Sequence, residues 1–179
     1  TMTALYEQTK TMTLLDEEVK TEGHIFFSRK SGSTRWQSTE GTIQQLDQKR
    51  YIAIFPDLKE VEIYPLKEKG SVLASLMGSP DTDELQKEFE IRLRSPAGER
   101  IELTLKPKTD FLKKRIQTAR LLISPETYMI VGATVTEQNG DTIVIRFREM
   151  KINTGIPGQT FQLDLDSLRT KGYNIREHS

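Results

Sequence analysis

Apolar residues recur at every second position in several stretches of the chain. In one of them, Phe89, Ile91 and Leu93 alternate with charged residues. The same alternation is found in three more stretches, 101–106, 143–148 and 161–166. A period of two predicts β-strands with one apolar and one solvated face. Such strands pair antiparallel, because parallel sheets need apolar residues on both faces.

The chain as a whole is predicted to form about eleven or twelve strands, of which the pattern delimits ten. Further strands are predicted at 5–15, 19–29, 34–38, 42–46, 51–55 and 60–66. Turns are predicted at 96–98 and at Pro157-Gly158. Asn139-Gly140, which lies between two apolar stretches, is a strong signal for a tight hairpin. The pattern is therefore typical of a mainly β protein.

Two segments interrupt the strand pattern. Ser71–Met77 predicts a short helix with one apolar face and a stop at Gly78, and 81–87 predicts a helical turn or a second short helix. Residues 109–114 fit a turn or the entry to a strand. One short helix cannot cover the apolar face of eleven strands. We therefore predict a curled antiparallel sheet, an incomplete half-barrel whose concave apolar face carries a short lid helix, in a single domain spanning 1–179.

Composition narrows the class of protein. The 179 residues include 26 basic and 26 acidic side chains, and 35% of all residues are hydrophobic, which is a globular composition. Because the charges balance, the sequence predicts no net electrostatic attraction to nucleic acid. No apolar run is long enough for a membrane-spanning helix. Cysteine is absent, which excludes disulfides, thiolate metal sites and cysteine nucleophiles. The start of the chain suits either a cytosolic protein or one whose signal segment has been removed.

The residues suited to catalysis are few. The two histidines are His24, in a predicted strand, and His178, beside the end of the chain. No zinc-protease, serine-hydrolase, nucleotide-phosphate or dinucleotide motif occurs. Most carboxylates occupy outward strand positions and predict a solvated sheet face. We therefore expect a protein that is not an enzyme and has no cofactor and no metal site.

Two segments resemble a known family. Gly23–Trp36 places a glycine before an aromatic strand that ends in an arginine, and an Arg-Trp pair follows a short turn. Asp47–Leu66 combines a polar turn, an apolar strand, a proline bend and a second strand that ends in Pro-Leu. With Leu103–Lys108, this order resembles the LolA family of periplasmic lipoprotein carriers. Asp47-Gln48-Lys49 departs from the family's Asp-Gly-Lys turn, and only four residues precede Leu5, where the family has a long helix. A divergent member is therefore expected.

The resemblance implies a function. Proteins of this family hold the acyl chains of a lipoprotein in an apolar cavity while it crosses the periplasm toward the outer membrane. We therefore expect a monomeric periplasmic carrier or chaperone for lipoproteins or related lipidated cargo. Expected partners are acyl chains, an inner-membrane release complex and an outer-membrane receptor. A lipid-sensing regulatory module of the same fold is the alternative, and a structural β-sandwich without a cavity is a third possibility.

The predicted ligand site combines inward strand positions with the lid. Its members are Ile25, Phe27, Arg29, Trp36, Ile54, Ile63, Leu73, Leu76, Met77, Phe89, Ile91 and Leu103. The resemblance matches Arg29 to an arginine that tethers the lid, although a side chain at a strand end also reaches solvent. Trp36 fits either core packing or direct contact with the ligand.

Overall fold

The computed structural model describes residues 1–65, 82–95 and 100–178. The strands are β1 (Met2–Met12), β2 (Glu17–Ser28), β3 (Ser33–Ser38), β4 (Ile43–Leu46), β5 (Arg50–Phe55), β6 (Glu60–Pro65), β7 (Phe89–Arg94), β8 (Ile101–Pro107), β9 (Ile116–Ile123), β10 (Ile130–Glu137), β11 (Thr142–Ile152) and β12 (Asn174–Glu177). The helices are α1 (Thr82–Glu88), α2 (Asp110–Lys113) and α3 (Leu165–Thr170), and Gly158–Phe161 forms a 3-10 turn. The predicted lid helix at 71–77 and the turn at 96–98 lie outside the described residues.

All twelve strands belong to one unclosed sheet. Its order is β12-β6-β5-β4-β3-β2-β1-β11-β10-β9-β8-β7, so β12 and β7 are the two edges. Neighbouring strands from β2 to β6 and from β7 to β11 pair antiparallel. The short β12 pairs parallel with β6, which the sequence pattern did not predict. The predicted mainly β fold with an unclosed antiparallel sheet is confirmed.

The chain divides into two compact units. The first comprises the described residues of Thr1–Leu5, Gly23–Ser79 and Glu149–Ser179. The second comprises the described residues of Tyr6–Glu22 and Pro80–Arg148. Three of the four dividing points fall within β1, within β2 and within β11, and the fourth lies outside the described residues. A single domain over the whole chain remains a prediction.

The predicted strand at 161–166 is wrong, because a helix cap interrupts it. Asp164 precedes α3, and its carboxylate oxygen accepts a hydrogen bond from the backbone N–H of Ser167 at 2.9 Å. This side chain satisfies one of the free N–H groups of the first helical turn. Leu163 and Leu165, which alternate like strand residues, instead pack with Leu168 against the core of the first unit.

Short-range sequence signals explain a hairpin and two short helices. The predicted Asn139-Gly140 hairpin joins β10 and β11, and Gly140 has φ +89°, a conformation that glycine adopts at little cost. The short helix predicted at 81–87 is α1. At 109–114, where a turn or the entry to a strand was predicted, the chain instead forms the short helix α2, because the Thr109 hydroxyl accepts a hydrogen bond from the N–H of Leu112 and caps it. None of the described helices is long and apolar enough to span a membrane.

Candidate functional site

The pairing registers assign the side chains of the first unit to two faces of its sheet. Directly opposed residues in antiparallel strands project to the same face. Ile25 opposes Trp36, and Trp36 opposes Gln44, which in turn opposes Ala53. We call this surface the Trp36 face. Its members in β2 to β5 include Ile25, Phe27, Thr34, Trp36, Leu46, Tyr51 and Ala53.

The Trp36 face is apolar and buried near β2 and β3 and becomes polar toward β12. Ile25 is 0% exposed and Trp36 is 8% exposed. On β6 the same face carries Glu62, and on β12 it carries Arg176, whose side chain is exposed. A ligand with an apolar tail and a polar end would match this gradient.

One polar side chain lies inside the apolar part of the Trp36 face. Thr34 is 0% exposed, and its hydroxyl has no hydrogen-bond partner within the described part of the chain. Its cross-strand neighbours are Phe27 and Leu46, both apolar. Burying a hydroxyl without a partner costs free energy, so this position calls for an explanation.

The polar end of the Trp36 face is built from aromatic and charged side chains. The Tyr64 hydroxyl donates to the Glu62 carboxylate at 2.6 Å, and this bond raises the pKa of Tyr64. The His178 ring stacks on Tyr64 with ring centroids 4.1 Å apart. Burial raises the pKa of Tyr51 to about 12. Both tyrosines therefore stay protonated at neutral pH, when their hydroxyls can donate hydrogen bonds.

The opposite face of the same strands is covered by the C-terminal part of the chain. Ile52, Ile54, Val61 and Ile63 form a buried cluster there, against which pack Ile43, Leu163, Leu165, Leu168, Tyr173 and Ile175. Arg35 and Gln45 fasten this cover, because their side chains donate to the carbonyls of Thr160 at 2.9 Å and Phe161 at 2.7 Å. Burial lowers the pKa of Arg35. This face is therefore a filled core.

The second unit has an apolar face of its own, which we call the Leu105 face. The register of β7 to β11 places on it Ile91, Leu93, Leu103, Leu105, Ala119, Leu121, Ala133, Val135 and Ile145. Leu121 is 2% exposed and Leu105 is 0% exposed, and on the edge strand β7 exposure rises from 2% at Phe89 to 66% at Leu93. The reverse face carries ion pairs such as Glu90–Arg92 at 3.0 Å. Leu93 therefore provides accessible apolar surface at this edge.

The structure does not bring all the predicted site residues to one face. Ile25, Phe27 and Trp36 share the Trp36 face, and Phe89, Ile91 and Leu103 share the Leu105 face. Ile54 and Ile63 lie on the covered face opposite Trp36.

The remaining predicted site residues are Arg29 and three residues of the predicted lid. Arg29 is exposed and follows the last residue of β2, so it does not continue the alternation of Ile25 and Phe27. Leu73, Leu76 and Met77 are outside the described residues. Ligand contact by any of the predicted residues remains a prediction.

Sequence reasoning missed Thr34, Leu46 and Tyr51. All three belong to the same row across the Trp36 face, in which Phe27 opposes Thr34, Thr34 opposes Leu46 and Leu46 opposes Tyr51. The sequence could have indicated Thr34, because residues two apart in a strand project to the same face and Thr34 is two residues before Trp36. The register between strands was needed to find the other two.

The described residues offer no arrangement suited to binding a metal ion. Among them, no three His, Asp or Glu side chains are grouped closely enough to hold one. The features on which a function can be built are thus the two apolar faces and the polar end of the first. They define a mainly β protein whose open sheet presents apolar surface.

Comparison with known proteins identifies the family. The model of the outer membrane lipoprotein carrier protein LolA matches residues 1–164. The chain therefore belongs to the LolA family, as its sequence motifs predicted. A search of curated protein sequences gives no match.

Solved structures share the fold at low sequence identity. An uncharacterized conserved protein from Thermus thermophilus is similar with a TM-score of 0.60 and 11% identity, covering 99% of this chain and 90% of that one. A DUF1329 family protein from Desulfovibrio piger has a TM-score of 0.53 and 10% identity, with 90% and 89% covered. A putative outer membrane lipoprotein-sorting protein domain from Vibrio parahaemolyticus has a TM-score of 0.51 and 10% identity, with 94% and 91% covered. At these identities the likeness concerns the fold alone.

Proposed function

We propose that this protein is a periplasmic carrier that binds the acyl chains of lipoproteins, or of related lipidated cargo, for transport to the outer membrane. The observation that carries the proposal is membership of the LolA family, whose model matches residues 1–164. Non-enzymatic binding accords with this family. The proposed partners are acyl chains, an inner-membrane release complex and an outer-membrane receptor, and the proposed working form is a monomer.

The two apolar faces support acyl binding. An acyl tail carries no hydrogen-bonding groups, so a surface of isoleucine, phenylalanine, leucine and tryptophan side chains matches it. Each methylene removed from water stabilises the complex by about 0.8 kcal/mol, so a tail of about fourteen methylenes gains roughly 10 kcal/mol. A contact of this kind is non-directional, which suits a carrier that must later release its cargo.

We propose acyl contact on each of the two apolar faces, one in each unit. In the first unit the proposed contacts are Ile25, Phe27 and Trp36, and in the second they are Phe89, Ile91 and Leu103. Ile54 and Ile63 are better explained as core residues, because the C-terminal part of the chain already covers them. Arg29 is placed to meet solvent or a polar headgroup, and tethering of a lid by this side chain is part of the proposal.

Phe26 and Phe27 provide a matched test. The two are adjacent in β2, both are half-buried, and the strand sends them to opposite faces. Phe27→Ala removes a ring from the Trp36 face and is expected to weaken the binding of monopalmitoylglycerol about tenfold, whereas Phe26→Ala leaves it within about twofold. Calorimetric titration of the purified protein measures both affinities.

Native mass spectrometry of the protein, with extraction of bound lipid, tests the proposal without a chosen probe. Acyl-containing molecules are expected in the wild-type and Phe26→Ala proteins, and less of them in Phe27→Ala. Acceptor vesicles then distinguish a carrier from a lipid sensor, because a carrier gives up its cargo to them. Equal binding by the two variants would reject the Trp36 face as the site.

A further inference from the structure

Apolar packing does not explain why position 34 carries a side chain with a buried hydroxyl. The side chain is 0% exposed, and the hydroxyl oxygen has no hydrogen-bond partner within the described residues. Valine has the same shape and would fill this place without a polar group to desolvate. A threonine whose hydroxyl is buried among apolar side chains is therefore unfavourable for the free protein and points to an acceptor that is supplied from elsewhere.

The surroundings of Thr34 indicate the chemistry of that acceptor. Ile25 and Trp36 lie on the same face and offer apolar contact, which suits the tail of an amphiphile. In the direction of β5 the row continues through Leu46 to Tyr51, and the neighbouring strand adds the carboxylate of Glu62. Thr34 thus lies within the apolar part of the face, with Leu46 between it and the polar surface that begins at Tyr51.

The carbonyl group at the head of an acyl chain fits this position. An ester or amide carbonyl oxygen only accepts hydrogen bonds, and the threonine hydroxyl can donate one. Burial keeps Tyr51 protonated well above neutral pH, so no phenolate forms nearby to repel a carbonyl oxygen.

We propose that the Thr34 hydroxyl donates a hydrogen bond to the carbonyl oxygen of an acyl ester or amide bound on the Trp36 face. This inference rests on the proposed acyl-binding function and makes it more specific. It predicts that the site selects acyl chains over alkyl chains of equal length.

Two lipids that differ in one carbonyl group test the proposal. Monopalmitoylglycerol carries an ester, and hexadecyl glyceryl ether has the same headgroup and tail length without the carbonyl. Palmitoyl ethanolamide, which carries an amide in place of the ester, is a third ligand that tests recognition of an amide carbonyl. Trp36 is the single tryptophan of the chain and lies on the same face as Thr34, so its fluorescence reports binding, with calorimetry as a second readout.

The wild-type protein is expected to bind the ester about fivefold more tightly than the ether, the contribution of one neutral hydrogen bond. Thr34→Val should reduce this ratio to about one while the affinity for the ether stays the same. Thr34→Ser retains the hydroxyl and should retain the ratio, which guards against loss of binding through altered packing. If palmitoyl ethanolamide also binds more tightly than the ether, and Thr34→Val loses this preference too, the selectivity extends to amides.

Two outcomes would overturn the inference, and they differ from each other. If Thr34→Val keeps the wild-type preference for the ester, the hydroxyl has no role in recognition, although acyl binding itself stands. If the wild-type protein binds neither lipid, the proposed function fails and the inference fails with it. Thermal unfolding of Thr34→Val should match or exceed the wild-type midpoint, because the buried hydroxyl has no partner to lose.

Discussion

Gly23 shows how a single residue can determine the distance between two strands of the sheet. A Cβ atom added at Gly23 would lie 2.0 Å from the carbonyl oxygen of Gln37 on the paired strand. The residue therefore allows β2 and β3 to approach closely, which positions Ile25 opposite Trp36 on the proposed acyl face. The absence of a side chain at one position thus determines the placement of two others.

Gly23→Ala is expected to lower the free energy of unfolding by about 2 kcal/mol, because the backbone must shift to relieve the clash. Gly158→Ala is the matched control, since nothing lies within 4 Å of its added Cβ. Urea denaturation of the two variants measures the difference. Equal stability of the two variants would contradict the close approach of β2 and β3.

At the scale of elements, the C-terminal segment shows how a cap overrides a periodic pattern. The alternation of Leu163 and Leu165 predicted a strand, but Asp164 begins α3 and turns both leucines toward the core of the first unit. Arg35 and Gln45 then hold the preceding turn through its carbonyl groups. As a result, one face of β3 to β6 is closed by the chain itself. The proposed acyl contacts lie on the opposite, Trp36 face.

Asp164→Ala is expected to destabilise the protein by about 1 kcal/mol, the usual contribution of an N-cap side chain. Asp164→Asn should restore most of this stability, because an asparagine oxygen also accepts the hydrogen bond from Ser167. Hydrogen exchange at the amides of α3 locates the effect within the segment. A similar loss in both variants would show that charge, and not capping, is what matters there.

At the scale of the whole molecule, the protein carries more apolar surface than its described helices cover. The Leu105 face shows this most directly, because burial is complete at Leu105 and Leu121 but ends at Leu93, which is 66% exposed. The apolar side chain that this face exposes is thus Leu93, at the edge strand β7. Cargo with a non-directional apolar surface is the partner that such a face suits.

Substitutions of Leu105 and Leu93 distinguish residues of this face that stabilise the fold from residues that contact a ligand. Leu105→Ala should destabilise the protein by about 2 to 5 kcal/mol, because it leaves a cavity in a fully buried position. Leu93→Ala should change stability by less than about 0.5 kcal/mol, since most of that side chain is already in water. Thermal unfolding checks both values. Weakened binding of monopalmitoylglycerol by Leu93→Ala would add the edge of this face to the acyl site.

Periodicity in the sequence predicted nine of the twelve described strands and the antiparallel pairing of the sheet, but it did not locate β9, β10 or β12 and wrongly predicted a strand at 161–166. It depends only on neighbours along the chain, and the side chains of a strand alternate wherever the strand is placed. The same reasoning located the Asn139-Gly140 hairpin and the α1 helix, whose signals are also local. The motifs of Gly23–Trp36 and Asp47–Leu66 were enough to indicate the family that the comparison then showed.

The tertiary structure alone decided which of the two faces each alternating set occupies. Ile54 and Trp36 both satisfy a period of two, yet they lie on opposite sides of the sheet, because the register between strands depends on pairing and not on the strand itself. The parallel pairing of β12 and the cover over Ile54 and Ile63 likewise arise from contacts distant in the chain. The buried Thr34 hydroxyl became visible only when its row across the Trp36 face was assembled.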